Sequence, residues 1–382
     1  MSELIANRPP LADPSDFHGL GFGHHLAAAG ETPFLASQGK LFERFMTDKA
    51  GGMRGRERIY ESVERARSSV ASLLRVRATE VGFPLNVAHG MNLVARSLGA
   101  TEGNVVTPQW EYPSAMYPWV TGTGLEVRLV PNRGYQMDAE RFAVSVDDKT
   151  RAIVVSVVSY YTGERVDLRT YREIADRHGA MLIVDMSHAF GASLFDVTLA
   201  DFAFGCGYKW ALGTHGAGIG YCNSERQPGW IPLDSGWTSA KWADAGVRDS
   251  TVVSVDDGRR FELGNPSALS VQLLGAGADY LSSYGVEAIE DHILALTTSL
   301  RKELFELGLN ILTPEPKARR LGIVSFTVQD ELAWRRGLEA RGVLAWVGDK
   351  RVRLSPHLYN SSDDIIGAVA AISSVLAELG VK

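Results

Sequence analysis

Apolar residues follow two patterns along this chain, continuous runs and helical periods, which alternate most clearly between residues 152 and 185. The run AIVVSVVS (152–159) is almost entirely apolar, which is typical of a strand covered on both faces of a parallel sheet. The segment DLRTYREIADRHG (167–179) has a helical period, an Asp at its start and a Gly at its end. MLIVD (181–185) is a second apolar run. These segments predict a strand–helix–strand unit with parallel strands.

Other parts of the first 270 residues show the same two patterns. Short apolar runs predict strands at 80–85, 104–108 and 125–131, and helical periods predict helices at 54–75 and 89–100. Two more apolar segments, FAFGCG and GIGYCN, flank a glycine-rich loop. We therefore expect a large α/β unit whose sheet is mainly parallel.

The pattern changes after Pro266. A long helical pattern at 286–308 is followed by short strand and helix patterns in alternation, ending in a helix at 363–379. The predicted fold is α/β, a large domain with a mainly parallel sheet followed by a smaller C-terminal α/β domain. The predicted boundaries are an N-terminal arm at 1–30, a large domain at 31–270 and a small domain at 271–382.

Composition narrows the class of protein. The 382 residues are 45% hydrophobic and 22% charged, with a formal net charge of -6, which is ordinary for a globular protein. A basic run with interleaved aromatic residues is missing, so nucleic-acid binding is not expected. No apolar stretch nears the ~20 residues of a membrane span. The N-terminal sequence does not resemble a secretory signal, and Cys206 and Cys222 lack metal-ligand spacing, so we expect a reduced, cytoplasmic protein with no metal site.

The candidate chemistry rests on one acid and one lysine. Asp185 stands at the carboxyl end of a predicted buried strand, the edge at which open α/β sheets bind ligands. Lys209 follows after one further strand, in FGCGYKW (204–210). Such a pair suits pyridoxal phosphate, with Asp185 on the pyridine nitrogen and Lys209 as the Schiff-base lysine. Taken singly, the two residues are also compatible with an ion pair or with a solvated loop lysine.

The sequence around this pair resembles the class V aminotransferase family of fold-type I enzymes. The resemblance lies in Asp-x-Ser-His-Ala-x-Gly at 185–191 with Gly-Tyr-Lys-Trp at 207–210, and it covers roughly residues 35–360. Cysteine desulfurases, kynureninase and isopenicillin N epimerase-like proteins belong to this family. The resemblance implies the fold-type I transferase architecture, with a seven-stranded sheet in the large domain, and pyridoxal phosphate as cofactor.

The resemblance also implies roles for residues around the cofactor. His188 takes the position that contacts the phenolic oxygen side, and Tyr112 in QWEYPS is the residue that stacks on the pyridine ring, with Trp110 as the alternative. In the phosphate turn, Ala88 and His89 replace the hydroxyl residues of many members. They are expected to act through backbone N–H groups at a helix N-terminus.

Two further phosphate contacts follow from the resemblance. Tyr208 is expected to give its hydroxyl to the phosphate. Asn265 in FELGNPS matches the segment in which a residue reaches the phosphate of the neighbouring subunit. The family pattern therefore implies a homodimer with shared active sites.

Substrate contacts are expected mainly near the C-terminus. Arg353 in RVRLSPHLYN matches the arginine that binds the substrate α-carboxylate, for which the guanidinium geometry is suited. Tyr160 stands where relatives often have an Asn beside the cofactor. Ser37 and Gln38 belong to a segment that lines the substrate site in the family. The expected partner is thus a small amino-acid substrate, with no nucleic acid and no membrane.

The reaction was predicted from departures from the family pattern. A desulfurase needs a nucleophilic cysteine before the arginine, and residues 310–360 contain none, so we exclude cysteine desulfurase activity. The aromatic segment GWTSAKW (236–242) suggests a bulky substrate group, although Trp237 and Trp242 could equally cap the domain interface. We favour β-elimination from a substituted amino acid by a C–S or C–C lyase of specialised metabolism, such as antibiotic biosynthesis.

Several other reactions share the first steps of such a lyase. An aminotransferase, an amino-acid epimerase, and an enzyme that couples decarboxylation of an S-substituted cysteine to oxidative deamination all need the same lysine and arginine. A nucleotide-binding oxidoreductase fits poorly, because the glycine-rich stretch at 213–220 does not open a helix. A non-catalytic protein with this fold is the remaining alternative.

Overall fold

The computed structural model describes residues 7–99, 102–241 and 251–380. Trp242 and the other residues outside these ranges are left undescribed. The helices of the described chain are α1 Gly39–Ala50, α2 Gly52–Leu74, α3 Val87–Ser97, α4 Pro113–Gly122, α5 Ala139–Ser145, α6 Leu168–Arg177, α7 Ala268–Tyr284, α8 Val286–Glu306, α9 Glu331–Glu339 and α10 Ser362–Leu379.

The strands alternate with these helices. They are β1 His24–His25, β2 Val81–Gly82, β3 Asn104–Pro108, β4 Glu126–Val130, β5 Thr150–Ser156, β6 Met181–Asp185, β7 Phe202–Cys206, β8 Gly218–Cys222, β9 Ala240–Lys241, β10 Val253–Ser254, β11 Val324–Thr327, β12 Val343–Leu344, β13 Trp346–Gly348 and β14 Arg351–Leu354. Strand β9 pairs with β10 in antiparallel register. No described helix is both long and apolar enough to cross a membrane.

A seven-stranded sheet forms the centre of the large domain, in the order β2-β8-β7-β6-β5-β3-β4. The neighbouring strands β4, β3, β5, β6 and β7 run parallel to one another, β8 is antiparallel to β7, and β2 is antiparallel to β8. The burial of strand β5 on both faces accounts for the α/β architecture. Ile153 and Val155 pack into the apolar core on one face of the sheet, and Ala152 and Val154 pack into the core on the other. The predicted α/β fold with a mainly parallel sheet is confirmed.

A second, smaller sheet lies near the C-terminus, with antiparallel order β11-β14-β13. Its apolar side packs with α8, α9 and α10 in a separate core that includes Phe326, Trp334 and Ile372. The N-terminal arm reaches this region, because β1 pairs with β12 in parallel register. The arm and the small sheet therefore approach the large sheet from one side.

Helix α7 was not anticipated from its sequence, which is rich in glycine. The glycines lie where α7 meets its neighbours closely. A Cβ atom at Gly275 would lie 2.5 Å from the Cβ of Ala66 in α2, and one at Gly277 would lie 2.1 Å from the carbonyl oxygen of Ala211. Close packing of α7 against α2 and against the loop that contains Lys209, called the lysine loop below, thus accounts for these two glycines. By intrinsic propensity alone, glycine disfavours a helix.

A buried ion pair connects the helix and strands that lead to the site. The carboxylate of Asp201 accepts hydrogen bonds from Arg172 in α6 at 2.6 Å and from the backbone N–H of Leu182 in β6 at 2.8 Å. Gln227 donates to its other oxygen at 2.8 Å. Both members of the pair are buried, and Arg172 has a second, more exposed carboxylate partner in Asp176 at 2.8 Å.

We expect Asp201→Ala to destabilise the fold by about 3–5 kcal/mol, because it removes the buried carboxylate that accepts hydrogen bonds from Arg172, Leu182 and Gln227. Urea denaturation followed by far-UV circular dichroism measures the loss. The matched control is Glu306→Ala, which removes an exposed pair with Lys302 and should cost no more than about 1 kcal/mol. Equal, small effects of both substitutions would contradict this role for Asp201.

Candidate active site

Asp185 supplies a buried acid at the carboxyl end of β6. Its side chain is only 4% exposed, and its Oδ1 accepts a hydrogen bond from the backbone N–H of Ser187 at 2.8 Å. Burial raises the pKa of this carboxyl, an effect opposed by the Ser187 hydrogen bonds and by the charge of Lys209. The sheet thus presents one acid at the edge where ligands bind in such folds.

Lys209 lies in the loop that follows β7, and its side chain is only 7% exposed. Its amine is 3.3 Å from Nε2 of His188. The rings of Tyr112 and Tyr208 lie 5.5 and 5.6 Å from the amine. Among the described residues, no carboxylate forms a salt bridge with this lysine. The arrangement places an amine in a closed aromatic setting.

His188 lies between the lysine and the small sheet. Burial is the main reason that its pKa is well below the ordinary histidine value, and the positive charges of Lys209, Arg353 and Arg351 add to the effect. Trp210 donates its indole N–H to Nδ1 of His188 at 3.3 Å. The imidazole is therefore neutral at physiological pH.

Tyr112 begins α4 and faces the lysine with a ring that is 37% exposed. Glu111 fixes its backbone, since its carboxylate accepts hydrogen bonds from the N–H of Tyr112 at 2.7 Å and from the N–H of Ser156 at 2.8 Å. Ser156 is the register partner of Asp185. Burial, with the neighbouring Asp185 charge, raises the pKa of Glu111 to about 7. The sequence analysis missed Glu111, whose signal was an acid between two aromatic residues.

Helix α3 presents its N-terminus beside the lysine loop. The side chain of Asn86 accepts a hydrogen bond from the N–H of His89 at 2.9 Å, so this cap does not use the N–H of Ala88. The Nδ1 atom of His89 accepts from the N–H of Leu85 at 3.1 Å. A Cβ atom on Gly218 would lie 2.9 Å from Asn86, which brings this turn against β8. A free helix N-terminus of this kind binds anions.

Tyr208 lies on the same side of the site, next to Lys209. Its ring stacks on His215 with 4.1 Å between the centroids. Burial raises the pKa of the hydroxyl, which also makes a hydrogen bond with the Cys206 side chain. Tyr208 therefore stays protonated and can donate a hydrogen bond.

Arg353 is a buried cation with spare donors. Its side chain donates to the backbone oxygens of Tyr160 and Ala29, both at 3.2 Å. Its Nε has no hydrogen-bond partner among the described residues. Burial, then the neighbouring Arg351, lowers its pKa to about 10. Because a guanidinium remains charged at that pKa, this position attracts an anion.

Arg351, which the sequence analysis did not single out, lies beside Arg353 on β14. Its guanidinium carbon is 3.8 Å from the ring centroid of Tyr161 and 4.5 Å from that of Trp346. Tyr160 contacts this group from another side, with its ring 5.2 Å from Arg351 and 5.1 Å from the Tyr112 ring. Aromatic rings thus connect the two arginines to the wall that faces Lys209.

Three of the predicted site residues lie elsewhere or are engaged. Gln38 is fully buried, and its amide donates to the carbonyl oxygens of Leu212 and Leu273 at 2.8 and 2.9 Å. The Gln38 side chain therefore supports the lysine loop instead of contacting a substrate. Ser37 is exposed in the turn before α1. Asn265 is also exposed and accepts a hydrogen bond from Tyr60 at 2.7 Å.

The side chains gathered here suit pyridoxal phosphate. A buried acid faces the sheet edge, as a pyridine nitrogen requires, and a helix N-terminus offers N–H groups to a phosphate. The buried Lys209 lies between the acid and the helix N-terminus, beside the aromatic ring of Tyr112. The described residues contain no cluster that could hold a metal ion.

Comparisons with known proteins agree with this geometry. The family model described as Aminotransferase class-V matches residues 44–364. An uncharacterized aminotransferase of Schizosaccharomyces pombe is 30% identical over 321 residues, 80% of this chain and 80% of that protein. A probable cysteine desulfurase of Methanothermobacter thermautotrophicus is 29% identical, over 80% of this chain and 78% of its own.

Solved structures share the fold. The apo cysteine desulfurase of Thermococcus onnurineus superimposes with a TM-score of 0.88 and 21% identity, covering 97% of this chain and 99% of that one. A C-DES variant with glycine covalently linked to its pyridoxal-phosphate cofactor gives a TM-score of 0.86 at 20% identity, covering 95% and 99%.

These relatives contradict the reaction predicted from the sequence. That prediction set the chain apart from cysteine desulfurases, because residues 310–360 contain no cysteine, and preferred a β-eliminating lyase. Cysteine desulfurases stand among both the sequence relatives and the matching structures, so the absence of one residue was too narrow a criterion. What the relatives support is a coarser statement about cofactor and substrate type. The chain belongs to the class-V aminotransferase family and is a pyridoxal-phosphate-dependent enzyme.

Proposed function

We propose that this enzyme binds an amino acid through its α-carboxylate at Arg353 and breaks a bond to its Cα atom, with Lys209 as the proton-transfer base. The observation that carries the proposal is the buried Arg353 guanidinium, which has an unpartnered Nε and no carboxylate in salt-bridge contact among the described residues. His188 experiences the charges of both Lys209 and Arg353, which supports placing amine and guanidinium around one substrate.

We propose that groups from β6, α3, α4 and the loop after β7 would hold the cofactor. In this proposal Asp185 contacts the pyridine nitrogen, His188 the phenolic oxygen, and Tyr112 the face of the ring. The N–H group of Ala88 and the Tyr208 hydroxyl serve the phosphate, whereas the N–H of His89, the other donor expected from the sequence, already donates to Asn86. When bound, pyridoxal phosphate supplies an electron-accepting ring that stabilises negative charge at Cα.

The protein's own residues then handle position and protons. Arg353 orients the substrate, because a guanidinium can hold a carboxylate by two parallel hydrogen bonds. Tyr160, whose carbonyl oxygen accepts from Arg353 and whose ring contacts Tyr112, is proposed to line the same pocket. The amine of Lys209 takes the proton from Cα and can return one. Tyr112 and Tyr208 limit access of water to that amine.

We expect purified holoenzyme to respond to at least one amino acid with a change in its visible absorbance, because the substrate amine displaces Lys209. A panel that includes cysteine, other sulfur-containing amino acids and kynurenine, with mass spectrometry of the products, reads out the reaction. The control is Lys209→Ala, which should bind the amino acid without turnover. If no amino acid of the panel alters the spectrum or yields a product, the proposed function is wrong.

Arg353→Lys should raise KM about 10- to 100-fold with a smaller change in kcat, because it removes charged hydrogen bonds to the carboxylate. Steady-state kinetics with the best substrate of the panel measures both constants. Arg177→Lys is the control, since Arg177 is exposed at the end of α6. An unchanged KM in Arg353→Lys would remove Arg353 from the carboxylate site.

We also propose that the enzyme acts as a homodimer in which Asn265 reaches the phosphate of the partner subunit. The support is an exposed apolar surface around Asn265. Met46 and Met53 are 64% and 68% exposed, and a cavity of about 390 Å³ lies between α1, α2 and the segment that holds Asn265. Apolar exposure of this kind marks interaction surfaces.

Sedimentation equilibrium is expected to give twice the chain mass of 41.5 kDa. Met53→Glu should lower that mass toward the monomer, because it places a charge in the apolar surface. The control is Val144→Glu on α5, where the native valine is even more exposed than Met53, at 88%, and it should leave the dimer intact. A monomeric wild-type protein at micromolar concentration would refute the dimer.

A further inference from the structure

The indole of Trp210 limits what its neighbour His188 can do. Trp210 donates its Nε1–H to Nδ1 of His188 at 3.3 Å. An indole nitrogen is a donor only. Nδ1 of His188 must therefore present a lone pair, which leaves the single proton of a neutral imidazole on Nε2.

The other protonation states of His188 conflict with this contact. A proton on Nδ1, in the second neutral tautomer or in the imidazolium, would face the indole N–H donor to donor within a buried site. The charged groups around the ring also disfavour the imidazolium, since Arg351 and Arg353 are both cationic. Asp185, at the end of β6 in the same segment, is the nearby acid. The indole contact and the surrounding charges thus favour the neutral Nε2–H tautomer of His188.

The remaining ring nitrogen faces the reactive amine. Nε2 of His188 is 3.3 Å from Nζ of Lys209. With its proton on Nε2, His188 is a hydrogen-bond donor toward the place where Lys209 and the cofactor meet. An unprotonated amine can accept a hydrogen bond from this N–H group, whereas an ammonium cannot.

Trp210 is itself held by the region near the C-terminus. It is buried, and its carbonyl oxygen accepts a hydrogen bond from Nε2 of His357 at 2.9 Å. The indole also lies against Gly322, where a Cβ atom would be only 2.3 Å from the ring. Gly322 precedes β11 and His357 follows β14, so segments next to two of the three strands of the small sheet help to position the indole.

We propose that Trp210 is a positioning residue that fixes His188 as its neutral Nε2–H tautomer, so that His188 faces Lys209 and the cofactor as a donor. The consequence for the cofactor rests on the proposed role of His188, whereas the tautomer is a property of the chain alone. His188 is then unsuited to act as a base from that nitrogen, which leaves proton transfer at Cα to Lys209.

The direct test is ¹⁵N–¹H correlation NMR of holoenzyme labelled at histidine, with the His188 signals assigned by their loss in His188→Gln. The expected wild-type result is a protonated Nε2 and an unprotonated Nδ1. A protonated Nδ1 in the wild-type protein overturns the proposal. This readout stands whether or not any amino acid reacts, so it separates this inference from the proposed function.

Trp210→Phe keeps one aromatic ring and removes the donor together with the rest of the indole. The His188 signals should then shift toward a mixture of tautomers. The pH midpoint of the holoenzyme's visible absorbance should rise by about one unit, because a donor that stabilises negative charge on the phenolic oxygen is lost.

Trp119→Phe is the matched control, since Trp119 is also fully buried but its Nε1 has no partner among the described residues. Wild-type tautomer and midpoint in Trp210→Phe, or an equal shift in both variants, would refute the role of Trp210. If Trp210→Phe does not fold, the wild-type spectrum still decides the proposal.

Discussion

The structure depends on the burial of one lysine at the carboxyl end of a parallel sheet. Lysine is among the residues least often buried, and a charged amine in an apolar site is costly unless it is paired. Here Lys209 is 7% exposed and, among the described residues, has aromatic rings and an imidazole for neighbours instead of a carboxylate in salt-bridge contact. A cofactor that occupies the amine removes this cost, which is why the closed setting and the chemistry belong together.

Three other parts of the chain stabilise the loop that contains Lys209. Thr32 of the N-terminal arm donates its hydroxyl to the carbonyl oxygen of Lys209 at 2.7 Å, and Gln38 holds the carbonyl oxygen of Leu212. The small sheet contributes Arg353 and, through His357, the hydrogen bond to Trp210. Residues far apart in sequence therefore fix one short loop.

Sequence patterns predicted the central sheet, its parallel strands and the Asp185–Lys209 pair, because these depend on local apolar runs and on spacing. The site partners that were missed depend on contacts across the fold. Glu111 and Trp210 both lie in segments that the sequence analysis quoted, but only packing shows that Glu111 accepts from the N–H of Tyr112 and that Trp210 donates to His188. The prediction of the reaction type was wrong, because it excluded cysteine desulfurases on the absence of one cysteine. The domain boundaries and the cytoplasmic location stay predictions.

The most direct measurement of the central claim is peptide mass spectrometry after borohydride reduction of the holoenzyme. Reduction fixes the cofactor on the lysine that carries it, so the modified peptide identifies that residue. The account predicts a phosphopyridoxyl group on Lys209 alone. Modification of another lysine, or no modification of a cofactor-loaded protein, would contradict it.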